Sequence, residues 1–220
     1  MAVGAHRITA AFEAALCAYT GAPYCVAVDN CSNALFLALR FDGVKGREVT
    51  IPSHTYPSVP CAIIHAGGKV VFEKSGLMLR GAYRLKGTPV YDAALRFTTG
   101  MYIPGSLMCL SFTGPYKHLK LGKGGAILTD SKKAYEWFKR SRFSGRRECS
   151  YHEDNLDMLG INCYMMPEIA ARGLQLMDQF YVEGKPKNNP DVELKYPDLS
   201  KFKVYGGSDG RKSERVERAV

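Results

Sequence analysis

An α/β fold with a mostly parallel central sheet flanked by helices is predicted by three features of the sequence. Short apolar runs alternate with helix-period segments from residue 8 to residue 73. The 220 residues suffice to bury a full core. A balance of 46% apolar and 23% charged residues is that of an ordinary globular protein, neither disordered nor fibrous. Alternation of this kind builds parallel strands joined by crossover helices.

Residues 8–20 carry Ile8, Phe12, Ala15, Leu16 and Tyr19 at helical spacing, and a Thr-Gly-Ala-Pro turn stops that helix. YCVAVDN (24–30) reads as a short buried strand, and SNALFLALRF (32–41) as an apolar helix directly after it. VTIP (49–52) is a second strand, SVPCAIIHAGG (58–68) a second crossover helix and KVVFE (69–73) the strand it leads to. PVYD (89–92), SLMCLSF (106–112) and GGAILTD (124–130) are further strands. Residues 131–143 form a basic helix. Residues 168–180 form another, with Ile169, Leu174, Leu176 and Met177 as its candidate buried positions. Past residue 180 the chain is polar and rich in Pro, Gly, Asn and Lys, with no core-forming pattern. The expected organisation is an α/β unit over 1–180 and an extended or partly disordered tail over 181–220.

Seven cysteines (17, 25, 31, 61, 109, 149 and 163) include no CxxC pair. They read as reduced thiols rather than a disulfide framework or zinc site, so no metal is expected. With no secretory leader and no apolar run of spanning length, a cytoplasmic protein without a membrane segment is expected. Much of the net charge of +9 lies in residues 132–147. Such a stretch suits nucleic acid or the phosphates of a nucleotide-linked substrate, or is simply a solvated helix face; no nucleic-acid-binding motif supports the first.

Three sites carry candidate chemistry. At Asp29–Asn33 a strand runs into a helix whose free N–H groups and the Ser32 hydroxyl suit an anion, although Ser32 or Asn30 acting as a plain N-cap explains the same residues. Asp92 ends an apolar strand, at the edge where open parallel sheets bind ligands, and equally suits a cap. In SFTGPYKHLKLGKGGAILTD a strand ends at Ser111, a loop presents Lys117 and a glycine-rich turn enters the next strand, yet a lone lysine is ordinarily a surface residue.

In this order the three segments resemble the DegT/DnrJ/EryC1/StrS aminotransferases, of the fold-type-I pyridoxal-phosphate (PLP) class, from about residue 12 to about residue 180. Asn30-Cys31-Ser32-Asn33-Ala34-Leu35 is similar to the family's Ser-Gly-Thr-x-Ala-Leu phosphate turn, with Cys31 replacing glycine and Ser32 keeping the hydroxyl. Tyr56 takes the position of the aromatic that stacks on the cofactor ring. The resemblance implies that Asp92 pairs with the pyridine nitrogen, that Ser111 binds phosphate and that Lys117 forms the Schiff base. LGINCYMMPEIAARGLQLMDQF resembles the Gly-x-Asn segment, in which Asn162 would reach the phosphate of a neighbouring subunit's cofactor. The fold implied is the large domain of a fold-type-I transferase, working as a homodimer or larger even oligomer with shared sites.

Those residue types suit the chemistry. A lysine amine condenses with the cofactor aldehyde, is displaced by a substrate amine and then moves the proton. An aspartate keeps the ring nitrogen protonated so that the ring accepts electrons. Four departures stand out. Leu95 replaces the hydrogen-bonding residue usual three positions after the aspartate. The Ser111–Lys117 spacing is one residue longer than usual, and Tyr164 or Met165 stands near Asn162 where a basic residue is common. The segment between KVVFE and PVYD is too short for the usual βα unit, leaving the sheet a strand short unless LMLRGAYRL (77–85) substitutes. The family's small C-terminal domain is absent or replaced by the polar tail. His54 and His118 lie beside the cofactor motifs and are candidates for substrate contact, whereas His6, His65 and His152 read as structural or surface.

The function implied is transfer of an amino group from a small donor to a keto or aldehyde acceptor, a nucleotide-linked sugar or another anionic molecule. A PLP-dependent lyase, dehydratase or decarboxylase and a non-catalytic binding or assembly module are the alternatives.

Overall fold

The computed structural model describes residues 4–74, 81–115, 117, 119–182 and 196–206. In chain order the elements are α1 (Gly4–Thr20), β1 (Tyr24–Val28), α2 (Cys31–Asp42), β2 (Glu48–Pro52), α3 (Ser58–His65), β3 (Lys69–Glu73), β4 (Tyr83–Arg84), β5 (Val90–Asp92), β6 (Leu107–Ser111), β7 (Gly125–Thr129), α4 (Lys132–Ser141) and α5 (Pro167–Val182). Single 3-10 turns occur at Tyr151–Glu153, Leu199–Lys201 and Lys203–Tyr205.

A five-stranded sheet has the order β1-β7-β6-β5-β4, and β2 pairs with β3 in a separate parallel ribbon. Strands β5 and β6 are parallel, while β7 is antiparallel to both of its neighbours, β1 and β6. Strands β1, β5 and β6 therefore share one direction, with β7 inserted against it, so the pairing is more mixed than the alternation of elements predicts. The reason is local: β6 and β7 are joined by the loop at residues 112–124 rather than by a crossover helix. Reciprocal backbone hydrogen bonds between Thr50 and Lys86 (3.1 and 2.9 Å) tie the β2–β3 ribbon to the hairpin of β4 and β5. In the segment that appeared too short for a βα unit, the two-residue β4 adds an antiparallel edge beside β5. Of the segment expected to substitute, residues 77–80 lie outside the described residues.

Strands β1, β6 and β7 read as continuous apolar runs because both faces of the sheet are covered. Alternate residues divide between two cores. Val26, Val28, Leu107, Cys109 and Ile127 pack with α2, α3 and α4. Cys25, Ala27, Met108, Leu110, Ala126 and Leu128 pack with α1 and α5. On α5, Met177 is buried, while Ile169, Leu174 and Leu176 lie partly buried against the second core. The α1–α5 contact needs Gly173, where an added Cβ would fall 2.5 Å from the Phe12 ring. No helix among the described residues is long and apolar enough to cross a membrane.

The basic stretch is divided: Lys132, Lys133 and Arg147 are exposed, as a solvated face requires, whereas Lys139, Arg140, Arg142 and Arg146 turn inward. Arg142 is 2% exposed; its Nη1 donates to a Glu13 carboxylate oxygen and, at 2.5 Å, to the Ala27 carbonyl. Glu13 in turn accepts the Ala27 N–H at 2.9 Å. These two side chains satisfy the backbone of the outermost strand of the sheet, the place where peptide groups are otherwise left unpaired. Lys139 pairs with Glu148 at 2.5 Å, and Arg140 with Asp157. Arg146 lies over the rings of Phe143 and Tyr151.

Residues 196–206, expected as part of an extended or partly disordered tail, fold onto the α/β unit. The Leu199 amide donates to the Ser53 carbonyl at 2.8 Å, and the Leu199 side chain is 2% exposed. One buried leucine and that backbone contact anchor an otherwise polar segment.

Candidate active site

Because β1, β5 and β6 run the same way, their C-terminal ends meet at one edge of the sheet, where open α/β sheets bind ligands. The residues after β1, the last residue of β5 and the last residue of β6 surround a cavity of about 420 Å³, of a size suited to a small organic ligand. Its wall includes Cys31, Ser32, Tyr56, Asp92, Ser111 and Lys117.

The first side is the N-terminus of α2. Asn30 is its N-cap, its side-chain oxygen accepting the Asn33 N–H at 2.8 Å. That assigns the cap to Asn30 and leaves the Ser32 hydroxyl on the cavity wall beside the positive end of the helix. Gly125 of β7 presses on this turn: a Cβ there would meet the Asn30 carbonyl carbon at 2.6 Å and the Cys31 nitrogen at 2.7 Å. The glycine-rich run before β7 therefore sets how closely the helix start approaches the sheet. Burial and the nearby Asp92 push the Cys31 thiol well up, so it is held neutral, and Sγ points to the Cys109 carbonyl at 3.7 Å.

Asp92 forms the floor. It is 6% exposed, and its two oxygens accept the Ala94 N–H and the Tyr83 hydroxyl, both at 2.9 Å. Burial pushes its pKa up, while these two donors and the Lys117 charge pull the other way. Lys117 comes from the loop after β6, and its Nζ donates to the Ala94 carbonyl. Burial lowers the proton affinity of this amine, opposed by Cys31 and Asp92. A desolvated amine and a buried carboxylate thus share one pocket.

The opposite wall holds Thr55 and Tyr56, from the segment after β2, and Tyr196, from the returning C-terminal segment. Tyr56 is 58% exposed, and its ring meets that of Tyr196 edge-on at 6.1 Å. Leu95 lines the same space.

Three sequence-predicted residues lie elsewhere. Asn33 turns away from the cavity, its Nδ2 donating to Asp29 Oδ1 at 2.8 Å, because the first turn of α2 uses its amide to brace the preceding loop. Asn162 is exposed and bridged to Phe143, outside the cavity of its own chain. The His54 ring lies 3.1 Å from the Ser53 hydroxyl and does not line the cavity; His118 is outside the described residues. Sequence reasoning missed Thr55, Tyr83 and Tyr196. Tyr83 left a signal: residues 85–89 (LKGTP) read as a hairpin turn would set Tyr83 opposite Asp92.

Comparison with known proteins adds similarities of sequence and of fold. Residues 5–74 match the model of the DegT/DnrJ/EryC1/StrS aminotransferase family. Over those residues, about a third of its length, the chain is similar to that family. The spore coat polysaccharide biosynthesis protein SpsC of Bacillus subtilis is 44% identical over 62 residues, which are 28% of this chain and 16% of SpsC. A sugar aminotransferase from Micromonospora echinospora superposes with a TM-score of 0.65 at 18% identity, over 78% of this chain and 60% of that one. Helicobacter pylori PseC, an aminotransferase involved in the biosynthesis of pseudoaminic acid, gives 0.61 at 16% identity, over 78% and 57%. The likeness shows the expected α/β fold, and the chain spans less than two thirds of these relatives' length.

Proposed function

We propose that this chain is a PLP-dependent aminotransferase, with Lys117 as the residue that binds the cofactor covalently. The observation that carries this reading is the pairing of the desolvated Lys117 amine with the buried Asp92 carboxylate in one cavity. The donor set fits the group. Ser32 and Ser111 offer hydroxyls to a phosphate beside a helix N-terminus, Tyr56 offers an aromatic face and Asp92 an anion for a ring nitrogen. Bound PLP would supply an electron sink for the carbanion formed at a substrate amine's carbon. Lys117, with its proton affinity lowered by burial, is suited to carry the proton between carbon atoms. Tyr56 and Tyr196 together form one wall of the cavity.

The resemblance favours a keto or aldehyde acceptor, such as a nucleotide-linked sugar, and a small amino donor. Lys139 and Arg142 of the basic stretch are engaged in internal ion pairs, which leaves less of its charge for a nucleic-acid acceptor. The cofactor-binding unit is residues 1–180, with 196–206 of the tail contributing a wall. A cytoplasmic homodimer is proposed, in which Asn162 serves the partner's site. The exposed Leu156, Leu159 and Met166 around Asn162 support a covering second copy.

The test is spectroscopic. Protein reconstituted with PLP should show a visible absorption band that sodium borohydride abolishes, with the reduced adduct mapping to Lys117. Lys117→Ala should lose the band. Failure of the wild type to take up PLP overturns the proposal, and a band unchanged by every amino donor tried overturns transamination.

A further inference from the structure

Strand β4 exists only as Tyr83–Arg84, yet its register sets Tyr83 directly across from Asp92. Residues opposite one another in an antiparallel pair project on the same face. The Tyr83 hydroxyl donates to Asp92 Oδ2 at 2.9 Å, and Thr55 Oγ1 lies 2.6 Å from the same hydroxyl. Since the phenol's single proton goes to Asp92, Thr55 is the donor to Tyr83. The result is a directed chain, Thr55 to Tyr83 to carboxylate, in which each bond polarises the next.

We propose that Tyr83 is a positioning residue: with Thr55 behind it, it fixes the Asp92 carboxylate and keeps it anionic for a cationic ring nitrogen. This rests on the PLP reading above. Burial alone would drive Asp92 towards its neutral acid, which has no charge to offer a protonated ring. Two donors oppose that drift, the Ala94 amide and the Tyr83 phenol. The phenol is itself held protonated, since burial and the adjacent carboxylate push its own pKa well up. The other titratable groups acting on Asp92 are Cys31 from α2, Cys109 from β6, Lys117 from the loop after β6 and Tyr196 from the C-terminal segment. Both buried thiols are pushed well up and stay neutral, so Lys117 is the sole cation of that set. Leu95, on the same wall, has no polar side-chain atom with which to share the task.

The test compares wild type, Tyr83→Phe and Thr55→Val, each reconstituted with PLP. Two quantities are read: the dissociation constant for PLP at pH 8 and the pH below which bound PLP is released. Losing a hydrogen bond to a charged group should weaken PLP binding about tenfold in Tyr83→Phe. With its anion less supported, Asp92 takes up a proton at higher pH, so release should move up by about one pH unit. Thr55→Val should move both readings the same way by less, and decides the matter if Tyr83→Phe does not fold. A phenol that merely packs would lower the melting temperature and leave the release pH where it was. Variants that release PLP at the wild-type pH overturn this inference alone; a wild type that takes up no PLP overturns it together with the proposed function.

Discussion

At Asp92 the needs of the site and those of the fold pull apart. Burial raises the folded-state pKa above the ordinary carboxylate value of about 3.9, so the charged form is disfavoured by folding. The sign follows directly. Without cofactor, this group costs stability above its folded pKa, and the cost fades as the pH falls and the acid protonates. Apo Asp92→Asn should therefore melt at or above the wild-type temperature at pH 8, with the gap closing towards about pH 4. The same substitution should weaken PLP retention at least about tenfold, as expected for a lost charge-assisted contact. Thermal melts of the apoprotein across pH check the first part, and a lower melting point at pH 8 would sink it. Asp92 was legible in the sequence because an acid ending an apolar strand stands out. Tyr83 was harder to read, because a two-residue strand carries no periodicity and only the turn at residues 85–89 hints at its partner.

Among the elements, the outer edge of β1 depends on side chains far away in sequence. Glu13 on α1 and Arg142 just after α4 hold the Ala27 peptide groups between them, and Glu148 and Lys139 extend the cluster. Removing one partner strands a charge in the core. Arg142→Met should cost about 3–5 kcal/mol, read as a lower urea midpoint at unchanged slope, and Glu13→Leu on that background should recover part of it. A loss below about 1 kcal/mol would show the cluster to be dispensable. Burial disfavours the Glu148 charge, but Lys139 and Arg142 outweigh it, so its carboxyl sits below the usual range. Its stabilising contribution is thus complete above about pH 4.3 and lost as the pH falls through the lower folded value. Acid unfolding of Glu148→Gln should accordingly show a smaller loss of stability below about pH 4.3 than the wild type. Strands β1, β6 and β7 were readable because burial on both faces leaves unbroken apolar runs. The Glu13–Arg142 pair was not, since one ion pair spanning most of the domain adds only two charges to helices that already carry several. The inward half of the basic stretch was hidden for the same reason: composition records charge but not its partners.

For the whole molecule, several of the exposed apolar residues lie close in sequence between residues 156 and 166. Leu159 is 92% exposed, Met166 60% and Leu156 51%. If a second copy covers them, sedimentation of the wild type should show a dimer. Leu159→Asp should weaken self-association at least about tenfold, as charge buried in an apolar interface does, and PLP retention should fall with it because Asn162 would lose its neighbour. A wild type that sediments as a monomer at all concentrations removes that reading. The tail was the least legible part, since one leucine among polar residues gives no pattern from which docking could be read. The docking of Leu199 also has a consequence in time. During synthesis the residues at 31, 56, 92, 111 and 117 emerge well before Tyr196, so the binding floor can assemble while one wall is still being made. A nascent chain short of residue 199 is expected to present the cavity open on that side, giving a cofactor free entry before the last wall arrives to narrow its way out.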